Sequence, residues 1–227
     1  MPQKYIIAML ANEQQAFASY AEHNFGSIAQ SYLLGDKAFA HVTLVQFYGE
    51  EADYNAACEF LYKLKSAPQP KFQGIKFGAD VGHENIYWVS MSVAREKPLV
   101  DVHWQLVHFL EQRNLTVINF ARDLYDPHVT FARIKCTSMF CAKTNLPNSS
   151  EFILAIGLAD EFGQFVQLKR VFAKPSMIEN DAQKSDISSK LQGFGNYYTP
   201  AFNARNAVVA ASLVVGGLYT AYKFRAS

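Results

Sequence analysis

Two short stretches of the chain carry one pattern. Ala40 to Phe47 reads AHVTLVQF, and Pro127 to Ile134 reads PHVTFARI. In an extended strand successive side chains alternate between faces, so His41 and Thr43 share one face, and so do His128 and Thr130. On that alternation Val45 and Phe47 join the first pair while Val42 and Leu44 face the other way. Val129 and Phe131 lie behind the second pair, and Arg133 falls on the face opposite it. Pro127 suits a strand entry and restricts Asp126 to an extended conformation. A single His-Val-Thr is unremarkable, since threonine is a good strand former and lone histidines pack in strands. Two copies in matching contexts constrain the chain far more: each strand needs an apolar face against a core and a polar face toward a cleft.

The segments around these strands read as mixed elements. Tyr5 to Leu10 is a buried strand, followed by a helix from about Glu13 to His23, and the first His-Val-Thr strand runs from about Phe39 to Tyr48. YNAACEFLYKLKS places Ala57, Leu61 and Leu64 at helical spacing, with Asp53 positioned to cap its start. Phe72 to Val81 and Asn85 to Ala94 form two strands joined through Gly82-His83-Glu84. PLVDVHWQLVHFLEQRN opens on Pro98 and repeats Leu99, Val102, Leu106 and Phe109/Leu110, an amphipathic helix. After the second His-Val-Thr strand and a Cys/Ser/Asn-rich loop come strands Phe152 to Leu158 and Gln164 to Phe172, joined around Asp160 to Gly163. The first half reads strand, helix, His-Val-Thr strand, helix, hairpin; the second reads helix, His-Val-Thr strand, hairpin. The expectation is an α+β fold of two pseudo-symmetric lobes of antiparallel sheet, with outer helices around a central cleft. Each lobe contributes one His-Val-Thr strand.

Charge narrows the partners. The 21 basic and 20 acidic residues divide unevenly: six and three lie from Lys174 onward, which leaves 15 and 17 before it. A slightly acidic body suits a small phosphorylated substrate, and no long duplex nucleic acid is expected. The three cysteines, Cys58, Cys136 and Cys141, form neither a paired framework nor a zinc spacing, and their odd number suggests a reducing compartment. The apolar run in MPQKYIIAMLANEQQ is too short and too soon followed by polar residues for a signal peptide.

The paired H-x-T strands, their separation and the order of strands and helices resemble the 2H phosphoesterase superfamily. That superfamily includes the bacterial 2′-5′ RNA ligase-like proteins, the cyclic nucleotide phosphodiesterases and the 2′-5′ oligoadenylate phosphodiesterases. The resemblance covers about residues 4–173, and HVTLVQF and DPHVTFARI carry most of it. It implies a metal-independent phosphodiesterase acting on RNA-type phosphodiesters, a 2′,3′-cyclic phosphate or a 2′-5′-linked oligonucleotide, with no cofactor. Chemistry argues the same way. Cleaving a ribose phosphodiester without metal needs a base for the attacking oxygen and an acid for the leaving oxygen, and histidine, with an ordinary pKa of about 6.5, serves as either. His41 and His128 are the expected acid and base, in an order left open. Thr43 and Thr130 are the expected phosphate ligands, donating to the non-bridging oxygens. An RNA-end processing enzyme, a 2′-5′ RNA ligase and a non-catalytic nucleotide-binding module are the alternatives.

Other residues carry less. His103 and His108 sit beside Trp104 on a periodic helix, where packing outweighs catalysis. His83 lies in a turn and His23 near a helix end. Tyr48, Tyr125 and Phe47 adjoin the motifs and offer either a stacking surface for a base or ordinary core and rim packing. Residues 1–173 are thus expected to form the phosphoesterase-like domain, 174–205 a polar linker, and 206–227 an apolar tail. Ala207 to Tyr222 carries no formal charge and is flanked by Arg205, Lys223 and Arg225. At about the lower end of spanning length, with Tyr219 and Tyr222 suited to an interface, the tail is a candidate membrane anchor. It would hold the domain in the cytosol; a soluble terminal helix is the competing reading.

Overall fold

A computed structural model describes residues 1–35, 37–64, 67–119, 121–136, 145–149 and 151–172. Cys141, the proposed linker and the apolar tail lie outside the described residues. All described residues belong to one compact unit.

The first strand, β1 (Gln3–Ala11), is buried along nearly its whole length because sheet neighbours flank it and apolar side chains cover both its faces. It is followed by α1 (Gln14–Phe25), β2 (Ala29–Leu33), β3 (His41–Gly49) and α2 (Glu51–Lys63). Then come β4 (Phe72–Ala79), β5 (Ile86–Val93), α3 (Lys97–Gln112), β6 (His128–Lys135), β7 (Phe152–Ala159) and β8 (Phe165–Phe172). The strand β2 has no counterpart in the sequence reading: AQSYL is short, half polar, and contains Ser31 at a positive φ of 62°. At the start of α2, Glu50 is the N-cap and Asp53 is its third residue, the two closing a reciprocal capping box, so Asp53 caps from inside the helix.

Two four-stranded antiparallel sheets result, in the orders β3-β1-β7-β8 and β2-β6-β5-β4. Each holds one His-Val-Thr strand, but the sheets are not the two halves of the chain. The first-half hairpin β4–β5 pairs with β6, and the second-half hairpin β7–β8 joins β1 beside β3. The lobes have exchanged hairpins. Behind the sheets a single core gathers Val42, Val45 and Phe47 with Leu61 of α2, Leu106 of α3, and Val129 and Ile134. A smaller cluster on the other face of the first sheet contains Ile6, Ala8, Leu10, Phe39, Ala155 and Phe165.

Gly157 on β7 allows that smaller cluster to close. A Cβ there would stand 2.0 Å from the Gln167 carbonyl and 2.6 Å from the Phe165 ring. Phe165 lies against Phe39 with ring centroids 5.7 Å apart and against His41 at 5.9 Å. Gly157→Ala is therefore expected to cost about 2 kcal/mol or more through overpacking, read from urea unfolding.

Candidate functional site

Cross-strand partners in an antiparallel sheet share a face. His41 stands opposite Leu10 and Thr43 opposite Ala8, so both lie on the face of the smaller apolar cluster. His128 stands opposite Ser92 and Thr130 opposite Ser90, on the face turned away from Val89 and Met91. The strands then depart from simple alternation. On β3 the register steps from Ala8↔Thr43 to Ile7↔Val45, and on β6 from Ser90↔Thr130 to Val89↔Ala132. Leu44 and Phe131 are the extra residues of two β-bulges, each immediately after the threonine.

The bulges correct two expectations. Beyond Leu44 the faces exchange, so Gln46 lies on the face of His41 and Thr43, while Val45 and Phe47 pack into the core. Beyond Phe131 the same exchange puts Arg133, opposite Trp88, on the face of His128 and Thr130. Its guanidinium is already engaged, with Nε 2.7 Å and a terminal nitrogen 2.6 Å from Asp80 Oδ2, and the other terminal nitrogen 3.1 Å from Ser31 Oγ.

Both histidines are anchored in the same way. His41 Nδ1 lies 2.6 Å from the Phe39 carbonyl and His128 Nδ1 lies 2.7 Å from the Asp126 carbonyl, in each case the residue two positions earlier. A carbonyl only accepts, so in each ring Nδ1 carries the hydrogen and the neutral imidazole keeps its lone pair at Nε2. The first ring also senses the second. Burial above all holds His41 down to about 4, with the nearby His128 charge acting in the same direction against the Phe39 hydrogen bond. His128 is lowered by burial and then by Lys76, against the Asp126 carbonyl and carboxylate. Lys76 stands opposite Ser90 on β4 and pairs with Asp126.

Support for this geometry comes from residues around it. Gln14 of α1 is buried and clamps the entry of β3, its amide nitrogen 2.6 and 3.0 Å from the Ala11 and Ala40 carbonyls and its oxygen accepting from Ala40 N at 2.5 Å. His103, fully buried, donates from Nδ1 to the Leu44 carbonyl at 2.8 Å and accepts from Arg122 N at Nε2 at 2.9 Å. It stacks on Tyr125 at 3.9 Å, and the Tyr125 hydroxyl donates to the Thr43 carbonyl at 3.0 Å. His103 thus packs, as its helical periodicity suggested, and does so beneath the bulge. Phe47 and Tyr125 are core residues with no face free for a base, whereas Tyr48 is 53% exposed. Lys76, Ser90 and Gln46 escaped the sequence reading. Only Ser90 had a signal, the alternating serines of WVSMSV, polar positions in an otherwise buried strand.

Among the described residues no group of three or more His, Cys, Asp or Glu is arranged to hold a metal ion, and no helix is long and apolar enough to cross a membrane. No family model and no curated protein matches the chain. Solved structures do. The chain is similar to E. coli LigT complexed with 3′-AMP, at 14% identity and a TM-score of 0.49, over 77% of this chain and 98% of that one. It is similar to a phosphoesterase at 13% identity and 0.48, over 77% and 99%. A LigT complex with NADP+ gives 13% identity and 0.49, over 76% and 98%.

The buried His41 makes stability depend on pH. Its ordinary value of 6.5 applies to the unfolded chain and about 4 to the folded one, so between these values the unfolded chain binds a proton that the folded chain does not. Stability is then expected to fall as pH drops from 6.5 to 4, by about 3 kcal/mol from this group. Chemical denaturation across this range should give His41→Gln a shallower slope than the native chain; an identical slope would place His41 in water.

Proposed function

We propose that the protein is a metal-independent phosphodiesterase that uses His41 and His128 as acid and base on an RNA-type phosphodiester, a 2′,3′-cyclic phosphate or a 2′-5′ linkage. The observation that carries this reading is the matched anchoring of the two imidazoles. Each is tied at Nδ1 to a backbone carbonyl, each offers Nε2, and the charge on His128 disfavours charge on His41. Binding a phosphate alone requires no such pair of poised proton carriers.

The roles follow from environment. His41 is 4% exposed and the more strongly desolvated, so it rests neutral and is assigned as the base. The His128 side chain is 39% exposed and lies beside the Asp126 carboxylate, so it takes up a proton more readily and is assigned as the acid. His41 Nε2 accepts the proton of the attacking water as its oxygen bonds to phosphorus. His128 gives its Nε2 proton to the ribose oxygen as the phosphorus–oxygen bond breaks. Thr43 and Thr130 donate to the non-bridging oxygens as their charge grows. Solvent then resets the two protons.

The experiment is a product-resolved screen of 2′,3′-cyclic nucleotides, 2′-5′ oligoadenylate and end-labelled RNA in EDTA. Turnover is expected, with His41→Ala and His128→Ala each slower by ~100-fold or more. Because both groups are lowered from 6.5, kcat/KM is expected to peak at mildly acidic pH, with its acidic limb set by His41 at about 4. Turnover unaffected by His128→Ala, or seen only with added metal, rejects the reading. Ligation products or trimmed RNA ends would move the assignment to a 2′-5′ ligase or an RNA-end processing enzyme, and a stable complex without turnover to a binding module.

Residues 206–227 are proposed as an anchor that keeps the domain on the cytosolic face of a membrane, supported by their uncharged run between basic flanks. The full chain is expected to stay with membranes through alkaline extraction, and a chain lacking 206–227 to be released.

A further inference from the structure

One cation on the face of Thr130 takes no part in the proton transfers. Thr130, Ser90 and Lys76 stand in one cross-strand row on β6, β5 and β4, and His128, Ser92 and Gly74 form the row beside it. Lys76 thus starts two strands from Thr130, about 10 Å between backbones. Its ammonium does not stay above β4. It pairs with the Asp126 carboxylate at the entry to β6, so its side chain lies across β5, the strand between them. The β5 residues it crosses are the small Ser90 and Ser92, and at Gly74 a Cβ would meet nothing within 4 Å. The face beside His128 is therefore low and open.

Asp126 ties this cation to the imidazole. Its backbone carbonyl holds His128 Nδ1 at 2.7 Å, and the carboxylate oxygen that pairs with Lys76 stands 4.0 Å from the same nitrogen. Pro127 restricts Asp126 to an extended conformation, so one constrained residue sets the spacing of both groups. Lys76 is close enough for its charge to be, after burial, the strongest influence on His128. An ammonium has three N–H donors and Asp126 engages one, so Lys76, its side chain 32% exposed, keeps donors for a ligand. Arg133, the other lysine or arginine in these rows among the described residues, is held by Asp80 and Ser31.

We propose that Lys76 is a further catalytic group of this site, its ammonium held by Asp126 and donating to the non-bridging oxygen on the Thr130 side of the scissile phosphate. The proposal rests on the phosphodiesterase reading and deepens it by naming the group that meets the developing charge. A phosphodiester carries one negative charge. As the attacking oxygen bonds to phosphorus and gives its proton to His41, the phosphoryl group takes on a second. The hydroxyls of Thr43 and Thr130 are neutral dipoles, and His41 rests neutral. A fixed cation interacts more strongly with two charges than with one, so Lys76 stabilises the transition state more than the bound substrate.

The test uses the full chain with adenosine 2′,3′-cyclic phosphate and adenylyl-(2′-5′)-adenosine, and with the separate Rp and Sp phosphorothioates of whichever ester is turned over. Sulfur accepts hydrogen bonds poorly, so placing it at the oxygen that Lys76 holds should make one diastereomer ~10-fold or more slower than the other. Lys76→Met keeps the length of the side chain and Lys76→Gln its polarity, and neither removes a buried group. Each is expected to lower kcat on the oxygen ester by ~10-fold or more and to bring the two diastereomers within ~3-fold of each other. A native ratio of one, a ratio that both variants preserve, or an unchanged kcat removes Lys76 from the phosphate and leaves the phosphodiesterase reading standing. If the native chain turns over neither oxygen ester, that reading fails and takes the role of Lys76 with it.

Discussion

A β-bulge removes one residue from the ladder and leaves its carbonyl to be satisfied elsewhere. Here the two bulges follow Thr43 and Thr130, and each carbonyl has a dedicated donor from outside its strand pair: His103 Nδ1 for Leu44 and the Leu34 N–H, at 2.7 Å, for Phe131. Much of the site depends on these two bonds. The bulge reverses the alternation just past the His/Thr pair, so the histidine and threonine lie on the face turned away from the main core while Val45, Phe47, Ala132 and Ile134 stay in it. Without the reversal, Val45 and Phe47 would share the polar face, and the core would have Gln46 and Arg133 in their place.

The same local device is supported by different surroundings in the two sheets. Strand β3 is an edge strand, and its open side is covered by Ile118 N on the Gln46 carbonyl, Asn119 Oδ1 on Gln46 N, and the Tyr125 hydroxyl on the Thr43 carbonyl. Strand β6 lies inside its sheet, and Phe131 is held by rings from α1, with Tyr20 at 5.0 Å, Phe25 at 6.1 Å and Phe17 at 6.4 Å. Helix α1 reaches both strands, since Gln14 at its start clamps Ala40 just before His41. One helix therefore braces both histidine strands. Unequal covering also explains the unequal proton affinities: Phe165 helps to seal His41 from water, while His128 keeps an open side and a charged neighbour pair in Lys76 and Asp126.

Much of the architecture was legible in the sequence because it is written in short-range patterns. The α3 stripe of Leu99, Val102, Leu106 and Leu110, the unbroken apolar run of β1 and the paired His-Val-Thr strands each follow from periodicity. What escaped was whatever depends on a partner distant in the chain. The strand β2 exists because Tyr32 and Leu33 pair with Arg133 and Ala132 a hundred residues on. Arg133 leaves the face that regular alternation assigns it because a bulge is a property of two strands together. Lys76 and Ser90 joined the site through the register of β4 and β5.

The sequence by itself determined which residues can carry proton transfer and that each copy presents a histidine and a threonine together, since alternation over three residues needs no knowledge of the rest of the chain. Only the tertiary structure decided which sheet each hairpin joins, where the alternation reverses, and which imidazole is dry. Those outcomes are set by pairing register and by burial, both sums over contacts between distant segments, and no window of the sequence contains them.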